Sequence, residues 1–361
     1  MKNLKTTIII MLGVMVSVVA LNAQNITTPR TPSPAAKVKQ TIGISEVTVN
    51  YSRPAVNDRE IWGKLVKYGW NVEGFGAGNE SPWRAGANEN TTITFSHNAK
   101  VEGKDVPAGT YGLFFVINED NSGEVILSKD HRSWGQFWYD AANDMMRAPI
   151  QIRDHAMTER LTYDFGNLDK TTGELVLNWE KKQFPVKISF DVDAIVVANA
   201  EEELKGTTGF SWRGYSSAAN YCLLNDVALD KGIVWIDQAI AGARNFTNLQ
   251  IKSGLVAKQG NKEESDKLMA EAMKVATEPE LNVYGYQLLN QQDYDKAIEV
   301  LAMNTERFPE SANCWDSLGE AYAIKGDKKN AIKNFKKSLS LDPPANVKAN
   351  SEKYLKELGA M

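Results

Sequence analysis

Cysteine and histidine are scarce in this chain, and the patterns that assemble metal sites are missing. It has two cysteines and three histidines among 361 residues. Two cysteines in a chain of this length do not make a disulfide framework. The sequence has no C-x-x-C, H-x-H or H-E-x-x-H pattern, which would bring metal ligands together. It therefore predicts no metal site and no cofactor.

A surplus of positive charge and a catalytic motif are also missing. The 41 basic residues are outnumbered by 45 acidic ones, which argues against a nucleic-acid partner. No nucleophile elbow, P-loop or dinucleotide fingerprint occurs, and the glycines of residues 74–78 indicate flexibility because no strand and helix flank them. No catalytic residue is predicted. A glycoside hydrolase stays open, since its two carboxylates come from separate strands.

The first residues have the pattern of a secretory signal peptide. Lys2 and Lys5 precede an apolar run from Ile8 to Leu21, and the small-residue cleavage pattern ends at Ala23. The run is shorter than the roughly 20 residues that a membrane-spanning helix needs. We therefore expect residues 1–23 to be removed. The mature chain is expected in the periplasm or outside the cell, without a transmembrane segment.

The back half of the chain repeats with a period of 34 residues. Trp315–Tyr322 fits the pattern W-x2-L-G-x2-Y. The later positions of this unit have equivalents one period earlier, since Gly319, Ala331, Phe335 and Pro343 match Gly285, Ala297, Leu301 and Pro309. This resembles the tetratricopeptide repeat family. Residues 198–361 are predicted to form such repeats, clearest at 278–311 and 312–345.

Two looser helical hairpins precede these repeats, at Ser217–Ala243 and Leu249–Ala276, and Ser351–Leu358 is predicted to close the array. Each repeat of such an array contacts only its neighbours. Cys222 and Cys314 lie several hairpins apart, farther than a disulfide can bridge. Both are therefore predicted to be buried free thiols.

The tetratricopeptide resemblance implies a solenoid whose concave surface is lined by the first helix of each hairpin and holds a peptide or partner protein. The positions that match this groove are polar or aromatic: Asn282, Tyr286, Asn290, Asn313, Asp316 and Glu320. Such side chains suit hydrogen bonding to an extended chain. The alternative is that they are only a solvated surface.

The front half alternates with period 2, as at Val47–Tyr51, which is typical of half-buried strands. Turn residues separate these runs, so residues 24–197 are predicted to form an antiparallel β-sandwich or open barrel. The last three runs are predicted to be a three-stranded meander: Arg160–Asn167, Glu174–Glu180 and Phe184–Val192.

Two aromatic insertions interrupt the strands, at Ala55–Asn90 and Asp130–Pro149. Five of the nine tryptophans lie in them. Trp83, Trp134 and Trp138 are ligand-binding candidates, because aromatic loops on a β-scaffold can stack on a sugar ring or hold a peptide. Alternatively, the rings form a satellite core under the loops.

Four ordered motifs of the front half resemble an exported bacterial family, domain of unknown function 2911, over about residues 29–195. They are Tyr51–Pro54, Ile61–Gly63, Trp83–Glu89 and Val106–Leu113. The resemblance implies no activity. It adds Arg84, Asn88 and Glu89 to the ligand-binding candidates. These residues either orient a ligand or fasten the insertion to the sheet.

The sequence therefore predicts a multidomain β + α protein, with an antiparallel β-sandwich or open barrel followed by an α-helical tetratricopeptide-type solenoid. The leading hypothesis is an exported, non-catalytic scaffold that binds a protein or peptide through its repeats. One alternative is a cell-envelope protein that binds or hydrolyses a glycan through the aromatic insertions. Another is a purely structural module of an envelope assembly.

Overall fold

The computed structural model describes Pro29 and residues 32–361. The predicted signal peptide, residues 1–23, lies outside this part. The chain divides into two compact units between Ile195 and Val196, the first built mainly from strands and the second from helices. Among the described residues, no helix combines the length and apolar character needed to cross a membrane.

The strands of the first unit form three antiparallel sheets. The six-stranded sheet has the order β1 (Ala35–Ile42), β2 (Ser45–Ser52), β5 (Thr92–Phe95), β8 (Gly109–Ile117), β9 (Ser122–Ser128) and β10 (Asp144–Gln151). The four-stranded sheet has the order β11 (Arg153–Gly166), β12 (Thr172–Ser189), β6 (Ala99–Val101) and β7 (Lys104–Val106). A small sheet pairs β3 (Asn71–Val72) with β4 (Glu80–Ser81).

The two larger sheets pack face to face. The rings of Phe115 on β8 and Phe184 on β12 lie 5.2 Å apart, and those of Tyr51 on β2 and Tyr163 on β11 lie 4.8 Å apart. In β2, Val47 and Val49 are fully buried, whereas Thr48 between them is only partly buried. This alternation places one face of the strand in the core. The predicted antiparallel sandwich is confirmed.

The predicted three-stranded meander is wrong, because its last two runs form the single 18-residue strand β12. Glu180, where a turn would be needed, has a left-handed backbone (φ 52°), and the pairing with β11 shifts register there. The chain passes this point as a β-bulge, which bends a strand without reversing it. Residues 180–183 also lack the glycine, asparagine or proline that a tight hairpin favours.

The second aromatic insertion is shorter than predicted. The insertion ends where β10 begins, at Asp144. In this strand Met146, Ala148 and Ile150 are buried at alternate positions. Pro149 lies inside this strand. Proline is tolerated there because β10 is at the edge of its sheet, where one side of the backbone needs no ladder bond.

Ten α-helices follow in the described part of the chain. They are α1 (Val192–Glu203), α2 (Trp212–Asn225), α3 (Leu229–Gly242), α4 (Phe246–Lys258), α5 (Lys262–Val275), α6 (Glu278–Asn290), α7 (Tyr294–Arg307), α8 (Ala312–Lys325), α9 (Lys328–Leu339) and α10 (Ala345–Glu357). From α2 to α9 they form four hairpins of adjacent helices, and α10 packs on the last of them.

Close helix crossings explain the small residues of the repeat pattern. A Cβ added to Gly319 would lie 2.9 Å from ring carbons of Phe335, and one added to Gly285 would lie 2.6 Å from Leu301 side-chain carbons. Phe335 is fully buried between α8 and α10. The predicted tetratricopeptide-type solenoid is confirmed. Cys222 and Cys314 are free and buried, as predicted.

Candidate functional site

The two aromatic insertions of the first unit are fastened to each other. The Ala77 N–H donates to the Phe137 carbonyl over 2.8 Å, and the ring of Phe75 lies 5.7 Å from that of Phe137. A Cβ on Gly76 (φ +94°) would fall 2.0 Å from the Phe137 carbonyl oxygen. The prediction that residues 74–78 are flexible is therefore wrong at Gly76. A glycine is required there because the backbone of Phe137 approaches closely.

Arg84 joins the two insertions through its guanidinium. Its Nε donates to Gln136 Oε1 (2.7 Å), its Nη1 donates to the Asn88 carbonyl (2.8 Å), and its Cζ lies 4.8 Å from the centre of the Phe137 ring. Burial lowers the pKa of Arg84, and the charge of Glu73 opposes this shift. Gln136 in turn donates to Glu73 Oε1 over 2.9 Å. These contacts hold the insertions in one arrangement.

Two other predicted candidates lie on the same loop as Arg84. Asn88 has a left-handed backbone (φ 62°), and its Nδ2 donates to the Ser33 carbonyl over 3.2 Å. Glu89 is exposed. Arg84 and Asn88 thus fasten the insertion by hydrogen bonds, which is one of the two roles that the sequence left open.

The three candidate tryptophans have different surroundings. Trp83 lies within an aromatic cluster, stacked on Trp179 at 5.8 Å and edge-on to Trp62 at 5.7 Å. Trp134 and Trp138 are each 48 % exposed. The cavities that Trp83 lines do not include either of them. A glycan site built from all three rings therefore has no support in this arrangement.

No group of three or more histidine, cysteine, aspartate or glutamate side chains in the described residues could hold a metal ion.

The second unit carries a polar network across the first helices of successive repeats. The Tyr286 hydroxyl on α6 donates to Glu320 Oε2 on α8 over 2.9 Å. From α10, Asn350 Nδ2 donates to Asp316 Oδ2 (2.8 Å) and the Ser351 hydroxyl donates to Asp316 Oδ1 (2.5 Å). Three of the predicted groove residues are therefore brought together.

Burial sets the electrostatics of this network. Asp316 is 5 % exposed, and burial raises the pKa of its carboxyl although Ser351 and Asn350 donate hydrogen bonds that oppose the shift. Burial and the neighbouring Glu320 raise the pKa of Tyr354 to about 12. Neither carboxylate forms an ion pair with a described lysine or arginine. The two carboxylates therefore accept hydrogen bonds from hydroxyl and amide groups within the chain.

The other predicted groove residues lie outside this network. Asn282 is half-buried, and its Oδ1 is buried without a partner among the described residues. Asn290 is exposed and Asn313 is half-buried. Neither side-chain amide makes a hydrogen bond to the described part of the chain, so both amides are available to a ligand.

Sequence reasoning missed three members of the network, Asn350, Ser351 and Tyr354. One further step of 34 residues leads from Asp316 to Asn350 and from Glu320 to Tyr354, and the bonded pair Asn350–Asp316 has this separation. The repeat period was the signal that could have found Asn350 and Tyr354.

Comparison with known proteins agrees with the two-part layout. Residues 33–188 match the model of a family described as "Protein of unknown function (DUF2911)", and residues 312–344 match a tetratricopeptide repeat model. Both resemblances predicted from the sequence are confirmed. No curated protein matches the chain. Tetratricopeptide repeats suggest a role in protein–protein interaction or scaffolding.

Solved structures with similar helices include three tetratricopeptide-type neighbours. "Crystal structure of YrrB: a TPR protein with an unusual peptide-binding site" is 17 % identical, with a TM-score of 0.27, covering 44 % of this chain and 81 % of that one. The pilF protein of Pseudomonas aeruginosa is 17 % identical, with a TM-score of 0.27, covering 42 % and 71 %. MamA of Desulfovibrio magneticus RS-1 is 18 % identical, with a TM-score of 0.25, covering 42 % and 92 %.

Proposed function

We propose that this chain is an exported binding scaffold whose repeats hold an extended segment of a protein partner. The observation that carries the proposal is the polar network on α6, α8 and α10. Five of its members, together with Asn282, occupy two equivalent positions of successive repeats: Asn282, Asp316 and Asn350 at one, and Tyr286, Glu320 and Tyr354 at the other. A row of this kind runs across the helices, as an extended partner segment would.

The chemistry of the row suits an extended chain. A peptide backbone presents N–H donors and carbonyl acceptors at regular intervals. The half-buried carboxylate of Glu320 accepts hydrogen bonds from such N–H groups or from a basic side chain, while the buried Asp316 keeps its bonds to Asn350 and Ser351. The side-chain amides of Asn290 on α6 and Asn313 on α8 supply both donors and acceptors.

Blocking the row tests the repeat part of the proposal. Asn290→Arg and Asn313→Arg each place a long side chain at a predicted groove position that makes no bond within the described chain. Val234→Arg is the matched control, because Val234 is 60 % exposed on α3, the second helix of its hairpin. Tagged full-length protein is used to recover partners from envelope extract by quantitative mass spectrometry.

A partner that binds wild type and Val234→Arg equally, and is lost from both asparagine variants, supports the groove. A partner that all three variants retain, or that Val234→Arg also loses, contradicts it. Far-UV circular dichroism confirms that each variant is folded.

Export is tested in a separate experiment, on the chain that keeps residues 1–23 of its sequence. The signal pattern that ends at Ala23 supports this part of the proposal. N-terminal sequencing of the protein from a periplasmic or culture-medium fraction is expected to begin at Gln24. Full-length protein beginning at Met1 and found only in the cytoplasm would refute export and leave the groove proposal standing.

A further inference from the structure

The first unit contains a cavity of about 350 Å³ beside the aromatic cluster, lined by Arg59, Arg84, Trp83 and Trp179 among others. Its volume is at the lower end of the range for small-molecule sites. None of the described residues that line it is acidic. The nearby carboxylate of Glu73 is bound by Gln136 instead. The charged groups of the cavity wall are therefore all positive.

Both guanidinium groups retain unused donors. Arg59 donates from Nε to the Val56 carbonyl (3.0 Å) and from Nη2 to the Ala55 carbonyl (2.5 Å). Arg84 uses Nε and Nη1, as described above. Arg59 Nη1 and Arg84 Nη2 have no acceptor in the described part of the chain. A guanidinium has five N–H donors in a planar fork, which matches a carboxylate or a phosphate.

A further donor, in the aromatic cluster that borders this cavity, is also unsatisfied. Trp179 is 1 % exposed, and its indole Nε1 is buried without a hydrogen-bond partner among the described residues. An indole N–H can only donate, and a buried donor without an acceptor is costly and rare in native proteins. The neighbouring Trp62 has such an acceptor, since its Nε1 donates to Glu180 Oε2 over 3.1 Å. Because this Nε1 atom is itself buried, the donors that can reach a ligand in the cavity are Arg59 Nη1 and Arg84 Nη2.

We propose that this cavity binds a small organic anion. Its carboxylate or phosphate group is held by Arg59 and Arg84, and its apolar part lies against the indole of Trp83. The desolvation that lowers the pKa of Arg84 also strengthens its attraction to an anion, because opposite charges interact more strongly where water is excluded. This site is independent of the groove on the repeats.

Isothermal titration calorimetry on the full chain at low ionic strength tests the site with three probes: inorganic phosphate, acetate and benzoate. Saturable binding of at least one probe is expected. Binding of benzoate more tightly than acetate identifies a carboxylate ligand with a flat apolar part, whereas preference for inorganic phosphate identifies a phosphate ligand. No saturable binding of any probe overturns the proposal.

Charge variants locate the binding. Arg59→Gln is the test variant, because its side chain bonds only to carbonyls of its own loop, whereas Arg84 also fastens the insertions. Losing a charge-assisted hydrogen bond is expected to weaken binding about tenfold or more. Arg153→Gln is the control, since it removes an equal charge where Arg153 pairs with Glu174, outside the cavity lining.

Equal weakening in both variants, or none in Arg59→Gln, would show that the anion binds elsewhere and would overturn the proposal. Unchanged thermal unfolding of Arg59→Gln verifies that the loss is not caused by unfolding.

Discussion

Replacing Gly319 by alanine is expected to destabilise the repeats, although alanine is the better helix former. In an exposed helix interior the change would stabilise by about 1 kcal/mol. Here the new Cβ would lie 2.9 Å from Cδ1 and Cε1 of Phe335. The Phe335 ring has little room to move, because it is fully buried and stacks on Tyr354 at 5.0 Å. Overpacking a core of this kind costs about 1–3 kcal/mol. The net expectation is a loss of about 1 kcal/mol.

Gly254→Ala is the matched control for this prediction. Gly254 is also in a helix interior, but the atoms nearest to its added Cβ belong to Leu223, with the δ-methyl carbons at 2.9 Å and Cγ at 3.5 Å. Leu223 is half-buried, so its flexible end can rotate away. We expect this variant to be neutral or more stable by up to about 1 kcal/mol.

Urea unfolding of the full chain, followed by far-UV circular dichroism, measures both effects on the same helical transition. Phe335→Leu removes the ring, and the cost of Gly319→Ala should shrink in that background because the two positions share one contact. The reasoning is refuted if Gly319→Ala shifts the urea midpoint upward as Gly254→Ala does, or if its effect is the same with and without the Phe335 ring.

Two other predictions follow from burial. The pKa of Asp316 is raised in the folded chain, so its contribution to stability is largest below the unfolded pKa and is lost as pH rises through the folded value. As the pH is lowered from 7 to 4, the melting temperature of wild type should therefore rise relative to that of Asp316→Asn. A difference in melting temperature that does not change with pH would contradict this. Burial raises the pKa of Cys222, and raises that of Cys314 to about 11. Neither thiol should react with Ellman's reagent at pH 8 until denaturant is added, and fast labelling of either native thiol would show that it is accessible.

The repeats could be predicted because their signals are local. A hairpin of two helices is contained within 34 residues, and Gly319, Ala331 and Phe335 report one helix crossing by their size alone. The same holds for the turn at Glu102 and Gly103, which both adopt positive φ between β6 and β7. In each case the residues that make contact are near in sequence, so periodicity and turn chemistry contain the information.

The first unit was less predictable because its contacts are distant in sequence. Arg84 and Gln136 are 52 residues apart, and Gln136 and Glu73 are 63 residues apart. Alternation identifies a strand but not its partner or its end. The sequence therefore could not show that β12 continues through Glu180. Nor could it show that Pro149 is accepted because β10 is at a sheet edge.

The sequence by itself determined the two-part layout, the strand faces and the helical repeats, since these depend on the size and polarity of residues at fixed short spacings. Only the tertiary structure decided which polar groups meet. It separated Trp83 from Trp134 and Trp138, and it joined Tyr286 to Glu320. It also left the indole N–H of Trp179 without an acceptor. The physical reason is that hydrogen bonding and burial depend on three-dimensional distance, which long-range pairing sets and local pattern does not.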